Sequence, residues 1–184
     1  EIESELLSVE RDLVRLRNEQ DFILFAKLAT QPSKKALENS WINMLKTHPN
    51  FQKIRYIDAS GIEQIRVERQ FNTNKVVATN ELQNKLNRPY VQNGLALENN
   101  EILVSDFDLN QEFGEIELPI RPTIRFIVKF GDETQNQGIL VINYLCVGLF
   151  SHLDSLIDTQ LSLINQEGYY LHSNDTTKNW GWLL

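Results

Sequence analysis

Arginine side chains are the groups in this sequence best suited to recognise a small anion. Five of them fall in the middle of the chain: Arg66, Arg69, Arg88, Arg121 and Arg125. Arg66 alternates with Ile65 and Val67 along a β-like run, so its guanidinium should project from the face opposite these apolar residues. Arg125 alternates with Ile124 in the same way. The planar guanidinium suits a carboxylate or phosphate, and the alternative is an ion pair with one of the chain's 25 acidic residues.

Three further side chains near these arginines are candidates for a polar pocket. Arg88 and Tyr90 flank a proline, and the tyrosine could offer its ring and hydroxyl to a ligand or be a core residue. Asp106 lies two positions before Asp108 in an extended segment and could pair with a ligand ammonium. Hydrogen bonds that order the loop are the alternative for both carboxylates. The predicted ligand-binding residues are therefore Arg66, Arg88, Tyr90, Asp106 and Arg125.

Other side chains with reactive potential do not form a recognisable site. His48, His152 and His172 lie far apart and lack metal-ligand spacing. Cys146, the single cysteine, lies in an apolar run where an inert buried thiol is expected. The sequence has neither a Gly-rich phosphate loop nor a nucleophile elbow. The net charge of -7 argues against a nucleic-acid partner, because phosphate contacts need a basic surface. We therefore predict no catalytic residue, no metal site and no cofactor.

A long N-terminal helix is the first element that the sequence predicts. Apolar residues follow alternating steps of four and three from Ile2 to about Ala29. They are Ile2, Leu6, Val9, Leu13, Leu16 and Ile23, with Gln20 at the one polar position of the seam. One helix over this span would be about 40 Å long, which exceeds what one small core covers. We therefore expect part of this apolar seam to form a homodimer contact through the N-terminal helix. The alternative is a helix that packs only on its own domain.

The rest of the chain predicts a sheet flanked by helices. A second helix is expected over Lys34–Thr47, and two short helical pieces are expected over Asn80–Asn100, broken at Pro89. The predicted strands are Phe51–Asp58, Ile62–Arg69, Glu101–Ser105, Glu115–Leu118, Thr123–Phe130 and Gly138–Tyr144, the last of them central and buried. A helical patch, Leu149–Leu156, precedes a second hairpin made of Leu161–Asn165 and Tyr169–His172. This order indicates an α+β fold with a central antiparallel sheet.

Several segments in a fixed order resemble a known family. The hairpin Tyr56–Glu63 with Ile65–Val67, the stretch Asn87–Tyr90, the block Ser105–Asn110 and the strand Gly138–Tyr144 carry the resemblance, together with Gly114–Glu117 and Pro122–Phe126. They resemble bacterial extracytoplasmic double Cache (PDC-like, PAS-related) sensor domains of membrane histidine kinases and diguanylate cyclases. The resemblance covers roughly Phe51 to Asp158. The tyrosine-arginine-tryptophan-tyrosine signature of the amino-acid-binding Cache branch is not apparent, so an amino-acid ligand is unsupported.

The resemblance implies a periplasmic sensor rather than an enzyme. Such a domain would lie between two membrane spans, bind a small metabolite, with an anion as the favoured class, and relay occupancy through the long helix to a cytoplasmic kinase or cyclase. The longest apolar run, Gly138–Phe150, is too short for a membrane span, so we expect a fragment of a membrane-tethered, inner-membrane protein. The alternative is a structural or dimerisation module with a vestigial pocket and no small ligand.

Three regions are expected within the chain. Residues 1–50 would form the long helix and second helix of the sensor unit. Residues 51–158 would form the membrane-distal Cache sheet domain. Residues 159–184 would begin a second, incomplete Cache unit, because the apolar residues around Trp180 lack following elements to cover them.

Overall fold

An antiparallel sheet lies at the centre of the fold, with helices on both of its faces. The computed structural model describes residues 2–98, 101–132, 135–155, 161–181 and 183. The sheet has the order β3-β2-β1-β9-β8-β4, and β5 pairs with β8. These strands are β1 (Phe51–Ile57), β2 (Glu63–Arg69), β3 (Val76–Ala78), β4 (Ile102–Val104), β5 (Asp108–Leu109), β8 (Pro122–Asp132) and β9 (Gln135–Leu145). The predicted α+β fold with a central antiparallel sheet is confirmed.

Two small hairpins lie outside this sheet. The first is formed by β6 (Gln111–Glu112) and β7 (Glu115–Ile116), and the second by β10 (Ser162–Ile164) and β11 (Tyr170–Ser173). The second hairpin was expected from the sequence, and a short helix, α5 (Val147–Ser155), precedes it as predicted. Leu156, which ended that predicted helix, lies outside the described residues.

The N-terminal region forms two helices where the sequence predicted one. They are α1 (Ile2–Arg17) and α2 (Gln20–Leu28). The chain leaves the helix at Asn18 and Glu19, and Glu19 has an extended backbone with φ -60 and ψ 132. Ser40 donates a hydrogen bond to the Glu19 carboxylate at 3.2 Å, which ties the break to the next helix. The break lets Phe22 pack edge-on against Tyr56 of the sheet, at 5.2 Å between ring centroids.

The apolar seam of α1 packs on the protein's own sheet. Val9, Leu13 and Leu16 are at most 1% exposed and belong to the core between helices and sheet. Val9, Leu13 and Leu16 are therefore not available to a partner helix, and the alternative of a helix packed on its own domain describes these residues. The homodimer contact through the N-terminal helix stays a prediction. The side of α1 that stays open to solvent carries Leu7 and Val14 instead.

Two further boundaries differ from the sequence prediction. The next helix, α3 (Gln31–Thr47), includes Pro32 in its first turn, where the missing N–H costs nothing. On the other face of the sheet, α4 (Pro89–Ala96) is helical, but residues 80–88 are irregular, so the first predicted helical piece is wrong. The backbone there follows the β1–β2 turn closely, since Lys85 N donates to the Gly61 carbonyl at 2.8 Å. A Cβ on Gly61 would lie 2.5 Å from the Leu86 Cβ, so only glycine fits at this approach.

Strand β9 is the central strand, as predicted. It pairs with β1 on one side and with β8 on the other. Leu140 and Ile142 pack in the core beneath α1–α3, while Ile139 and Val141 pack in the core beneath α4. No helix in the described part of the chain is both long and apolar enough to cross a membrane.

Candidate functional site

A cavity of about 710 Å³ lies on the α4 side of the sheet. Its walls come from β8, the start of α4, the segment from 103 to 108 and the β10–β11 hairpin. The polar side chains that line it are Arg88, Tyr90, Asn93, Ser105, Asp106, Asp108, Gln111 and Arg125, with Asn165, Gln166 and Glu167 from the hairpin. The cavity therefore lies between the sheet and the start of α4.

Two arginines at the inner end of the cavity share one carboxylate. Arg125 donates to Asp108 Oδ2 at 3.0 Å, and Arg88 donates to the same oxygen at 2.8 Å. The Arg125 side chain is 2% exposed and the Arg88 side chain is 22% exposed. Burial lowers the pKa of Arg125, and the attraction of Tyr90 and Asp108 opposes this shift. Two guanidinium groups therefore share one carboxylate in a largely desolvated environment.

The donors of these two arginines are only partly used. Among the residues that the structure describes, Arg125 Nε has no hydrogen-bond partner. Arg88 Nη1 donates to the side-chain carbonyl of Gln111, a neutral acceptor. A buried guanidinium with an unused donor is costly unless a further acceptor arrives. The Arg88 guanidinium, which is 22% exposed and lines the cavity, is the group that an additional carboxylate could reach.

The Tyr90 ring lies against the guanidinium group of Arg125. The Arg125 guanidinium carbon lies 4.6 Å from the centroid of the Tyr90 ring, a cation–π distance. The Tyr90 hydroxyl accepts a hydrogen bond from Arg55 Nη1 at 3.2 Å. Asp106 lies at the exposed end of the same cavity. Four of the predicted residues, Arg88, Tyr90, Asp106 and Arg125, thus line one cavity.

Arg66, the fifth predicted residue, lies in a separate buried ion cluster. We define this basic cluster by its cations Lys53, Arg55, Arg66 and Lys85 and its carboxylates Glu63, Glu68, Glu112 and Glu117. Arg66 pairs with Glu63 at 3.2 Å and with Glu68 and Glu112 at 3.3 Å. Arg66 does not line the cavity of Arg125, so the expectation that the two guanidinium groups share a pocket is wrong.

Glu112 occupies the middle of the basic cluster. Its carboxylate pairs with Lys53, with Arg55 at 3.2 Å and with Arg66 at 3.3 Å. Burial would raise the pKa of Glu112, but Arg55 and Lys53 outweigh it and hold the pKa well below its usual range. Burial also lowers the pKa of Lys85 to about 8. Glu112 sits on the β6–β7 hairpin, so this ion cluster anchors that hairpin to the sheet.

Sequence reasoning missed the central members of the basic cluster. Lys53 and Arg55 alternate with Ile54 and Tyr56, which is the same signal that identified Arg125, and it was available. Glu112 carried no such signal, because its strand has only two residues. A metal site is not indicated, since no group of three or more His, Cys, Asp or Glu side chains in the described ranges is arranged to hold a metal ion.

Comparisons with known proteins agree with this architecture. The family model described as "Bacterial histidine kinase, sensor domain" matches residues 1–184. A domain of a sensory box/GGDEF family protein from Vibrio parahaemolyticus is 24% identical, with a TM-score of 0.85, over 98% of this chain and 71% of that one. The extracellular domain of the histidine kinase vpHK1S-Z8 is also 24% identical, with a TM-score of 0.83. The match covers 98% of this chain and 67% of that one.

Chemoreceptor domains share the fold at lower identity. The ligand-binding domain of Campylobacter jejuni chemoreceptor Tlp3, solved with 4-methylisoleucine, is 12% identical with a TM-score of 0.67, over 96% of this chain and 65% of that one. The ligand-binding domain of Pseudomonas fluorescens chemoreceptor CtaA, solved with L-serine, is 11% identical with a TM-score of 0.60. The match covers 98% of this chain and 69% of that one. No curated protein matches the sequence.

Proposed function

The chain belongs to the bacterial histidine kinase sensor domain family, and we propose that it binds a small anionic metabolite outside the cytoplasm. The domain is a sensor module without catalytic chemistry of its own. In this proposal the full protein is tethered to the inner membrane, the sensor faces the periplasm, and the output is a histidine kinase or a diguanylate cyclase.

One observation carries the proposal. Arg88 and Arg125 converge on a single oxygen of Asp108 at the buried end of a cavity. The two guanidinium groups therefore share one carboxylate, and the Arg88 side chain lines the cavity and is 22% exposed. A ligand carboxylate would supply a second negative charge and a further acceptor to this pair. Tlp3 and CtaA, which share the fold, were solved with amino acids, ligands that also carry a carboxylate.

We propose that occupancy is relayed to α1 through β9. Asn143 and Tyr144 are neighbours on β9 and point to opposite faces of the sheet. On the cavity side, the Asn143 amide donates to Asn110 at 3.2 Å. On the helix side, the Tyr144 hydroxyl donates to Glu5 of α1. A small shift of β9 would therefore reach the helix that leads toward the membrane.

The domain organisation is part of the proposal. We propose that residues 1–50 and 51–158 form one membrane-distal sensor unit, because α1–α3 and the sheet share one core. Residues 159–184 would begin a second unit, whose β10–β11 hairpin packs against the first unit, because Leu171 and Trp180 belong to the same core. The solved domains from Vibrio parahaemolyticus and of vpHK1S-Z8 extend beyond the part that this chain covers, which supports a second unit.

Ligand binding is testable by thermal shift. A screen of small carboxylates should yield a compound that raises the melting temperature, because a ligand at 100 times its Kd adds about 2.7 kcal/mol of stability. Arg125→Ala should weaken binding of that compound by roughly 2–5 kcal/mol, since a desolvated charge pair is lost. Arg121→Ala is the matched control, because Arg121 stacks on Phe71 at 3.7 Å and does not line the cavity. Equal losses in both variants would contradict the assigned site.

A structural or dimerisation role is the second candidate, and the outer face of α1 favours it. Leu7 is 49% exposed and Val14 is 38% exposed. With Ile102 they line an apolar surface groove of about 500 Å³. We propose a parallel homodimer through this outer face instead of the buried seam.

Sedimentation measures this association directly. The double change Leu7→Ser with Val14→Ser should weaken dimerisation at least about tenfold, because each loses apolar area at the contact. The change Leu24→Ser on α2, where Leu24 is 39% exposed, should leave association unchanged. A wild-type chain that sediments as a monomer at every concentration would remove the dimer proposal.

A further inference from the structure

The β10–β11 hairpin is fixed against the main body of the protein. Leu171 is 4% exposed and belongs to the core that the sheet shares with its helices. The His172 ring stacks on Phe150 of α5 with 4.8 Å between centroids. Asn165 orders the turn, because its side-chain oxygen accepts from Tyr169 N at 2.8 Å. The hairpin therefore packs firmly against the main body of the protein, and its turn is held in a defined position.

The turn of this hairpin lines the same cavity as the paired arginines. Glu167 from the turn and Asp106 from the segment before β5 are both exposed, whereas Arg125 is buried. Arg125 therefore belongs to the buried part of the cavity lining, and the two carboxylates belong to its exposed part. These carboxylates come from two separate parts of the chain.

We infer that Glu167 determines ligand specificity by excluding a second negative charge. The inference rests on the proposed function, because it presumes a carboxylate bound at Arg88 and Arg125. A monocarboxylate places its uncharged end toward Glu167 and Asp106. A dicarboxylate of the same length places a second carboxylate there, and like charges at close range disfavour binding. The site should thus take monocarboxylates and reject dicarboxylates.

Calorimetric titration with two acids of equal chain length tests this inference. The probes are pentanoate and glutarate, measured at low ionic strength, where screening is weak. The wild-type chain should bind pentanoate about tenfold more tightly than glutarate. Glu167→Gln removes one charge and should reduce that ratio at least about threefold, with little change in pentanoate affinity. Glu115→Gln is the control, because Glu115 is equally exposed but does not line the cavity.

The outcomes separate this inference from the function on which it rests. A reduced ratio in Glu167→Gln and an unchanged ratio in Glu115→Gln support it. If pentanoate binds in an Arg125-dependent manner but the ratio is the same in all three proteins, the role of Glu167 is overturned and the proposed function stands. If neither acid binds and the thermal-shift screen also gives no hit, both are overturned.

Discussion

Replacing Ile142 by Asp is expected to destabilise the fold by about 4 kcal/mol, because an unpaired carboxylate would be buried in an apolar core. Ile142 is 0% exposed on the central strand. Its neighbours across the sheet are Ile54 on β1 and Phe126 on β8, so no cation lies beside it in the register. Urea unfolding followed by circular dichroism gives the free energy directly.

The same substitution at an exposed strand position is the control for this experiment. Ile164 on β10 is 54% exposed, so Ile164→Asp should change the unfolding free energy by less than about 0.5 kcal/mol. If Ile142→Asp were as mild as this control, β9 would not be the central strand. The assignment of the whole sheet would then be wrong.

Replacing Glu112 by Gln should lower the free energy of unfolding by about 3 kcal/mol at neutral pH, because the substitution leaves the basic cluster without its central carboxylate. Glutamine keeps the shape of the side chain and loses the charge that meets Lys53, Arg55 and Arg66. Glu115→Gln in the same hairpin is the matched control, since Glu115 is exposed. Glu115→Gln should change the free energy of unfolding by less than about 0.5 kcal/mol.

The Glu112 effect also has an expected pH dependence. The folded protein holds the pKa of Glu112 below its ordinary value of 4.5. A lowered pKa in the folded state stabilises the protein above the unfolded pKa, and this stability is lost as the pH falls. The difference between wild type and Glu112→Gln should therefore be constant near neutrality and shrink below pH 4.5. A difference that grows toward acidic pH would contradict this electrostatic account.

Local patterns in the sequence were sufficient for most of the sheet. The run Asp58–Gly61 between two alternating segments predicted the β1–β2 hairpin, and the apolar run at Gly138–Tyr144 predicted the central strand. Strands β5 and β6 were not predicted, because two residues define no period, whereas the predicted strand Glu115–Leu118 is confirmed in its first half as β7. The positions of β5 and β6 follow from tertiary contacts.

The N-terminal region shows a break in a helix that apolar periodicity alone did not predict. The apolar spacing continues across Asn18 and Glu19, so the sequence predicted one helix. Phe22 and Phe25 are instead turned into the core beside Tyr56, which requires a break before them. The spacing identified the buried Val9, Leu13 and Leu16 but selected Ile23 in α2, where Phe22 and Phe25 are the buried residues. It also could not indicate whether buried residues face a partner or the chain's own sheet.

Alternation along a strand predicts the face of a side chain and not its position across the sheet. Arg66 and Arg125 share the α4 face, but β2 and β8 are separated by β1 and β9. Arg66 pairs in register with Arg55, whereas Arg125 pairs with Asn143. Strand order is a long-range property, and one sequence does not supply it. This is why one predicted arginine lies in the ion cluster and the other in the cavity.

The position of a bound carboxylate tests the central claim most directly. A crystal structure of the chain with the tightest compound from the carboxylate screen should place its carboxylate about 3 Å from the Arg125 or Arg88 guanidinium, inside the cavity. The Asp108 carboxylate should remain in contact with at least one of these arginines. A carboxylate bound in the surface groove beside Leu7 and Val14, with the cavity empty, would contradict the account.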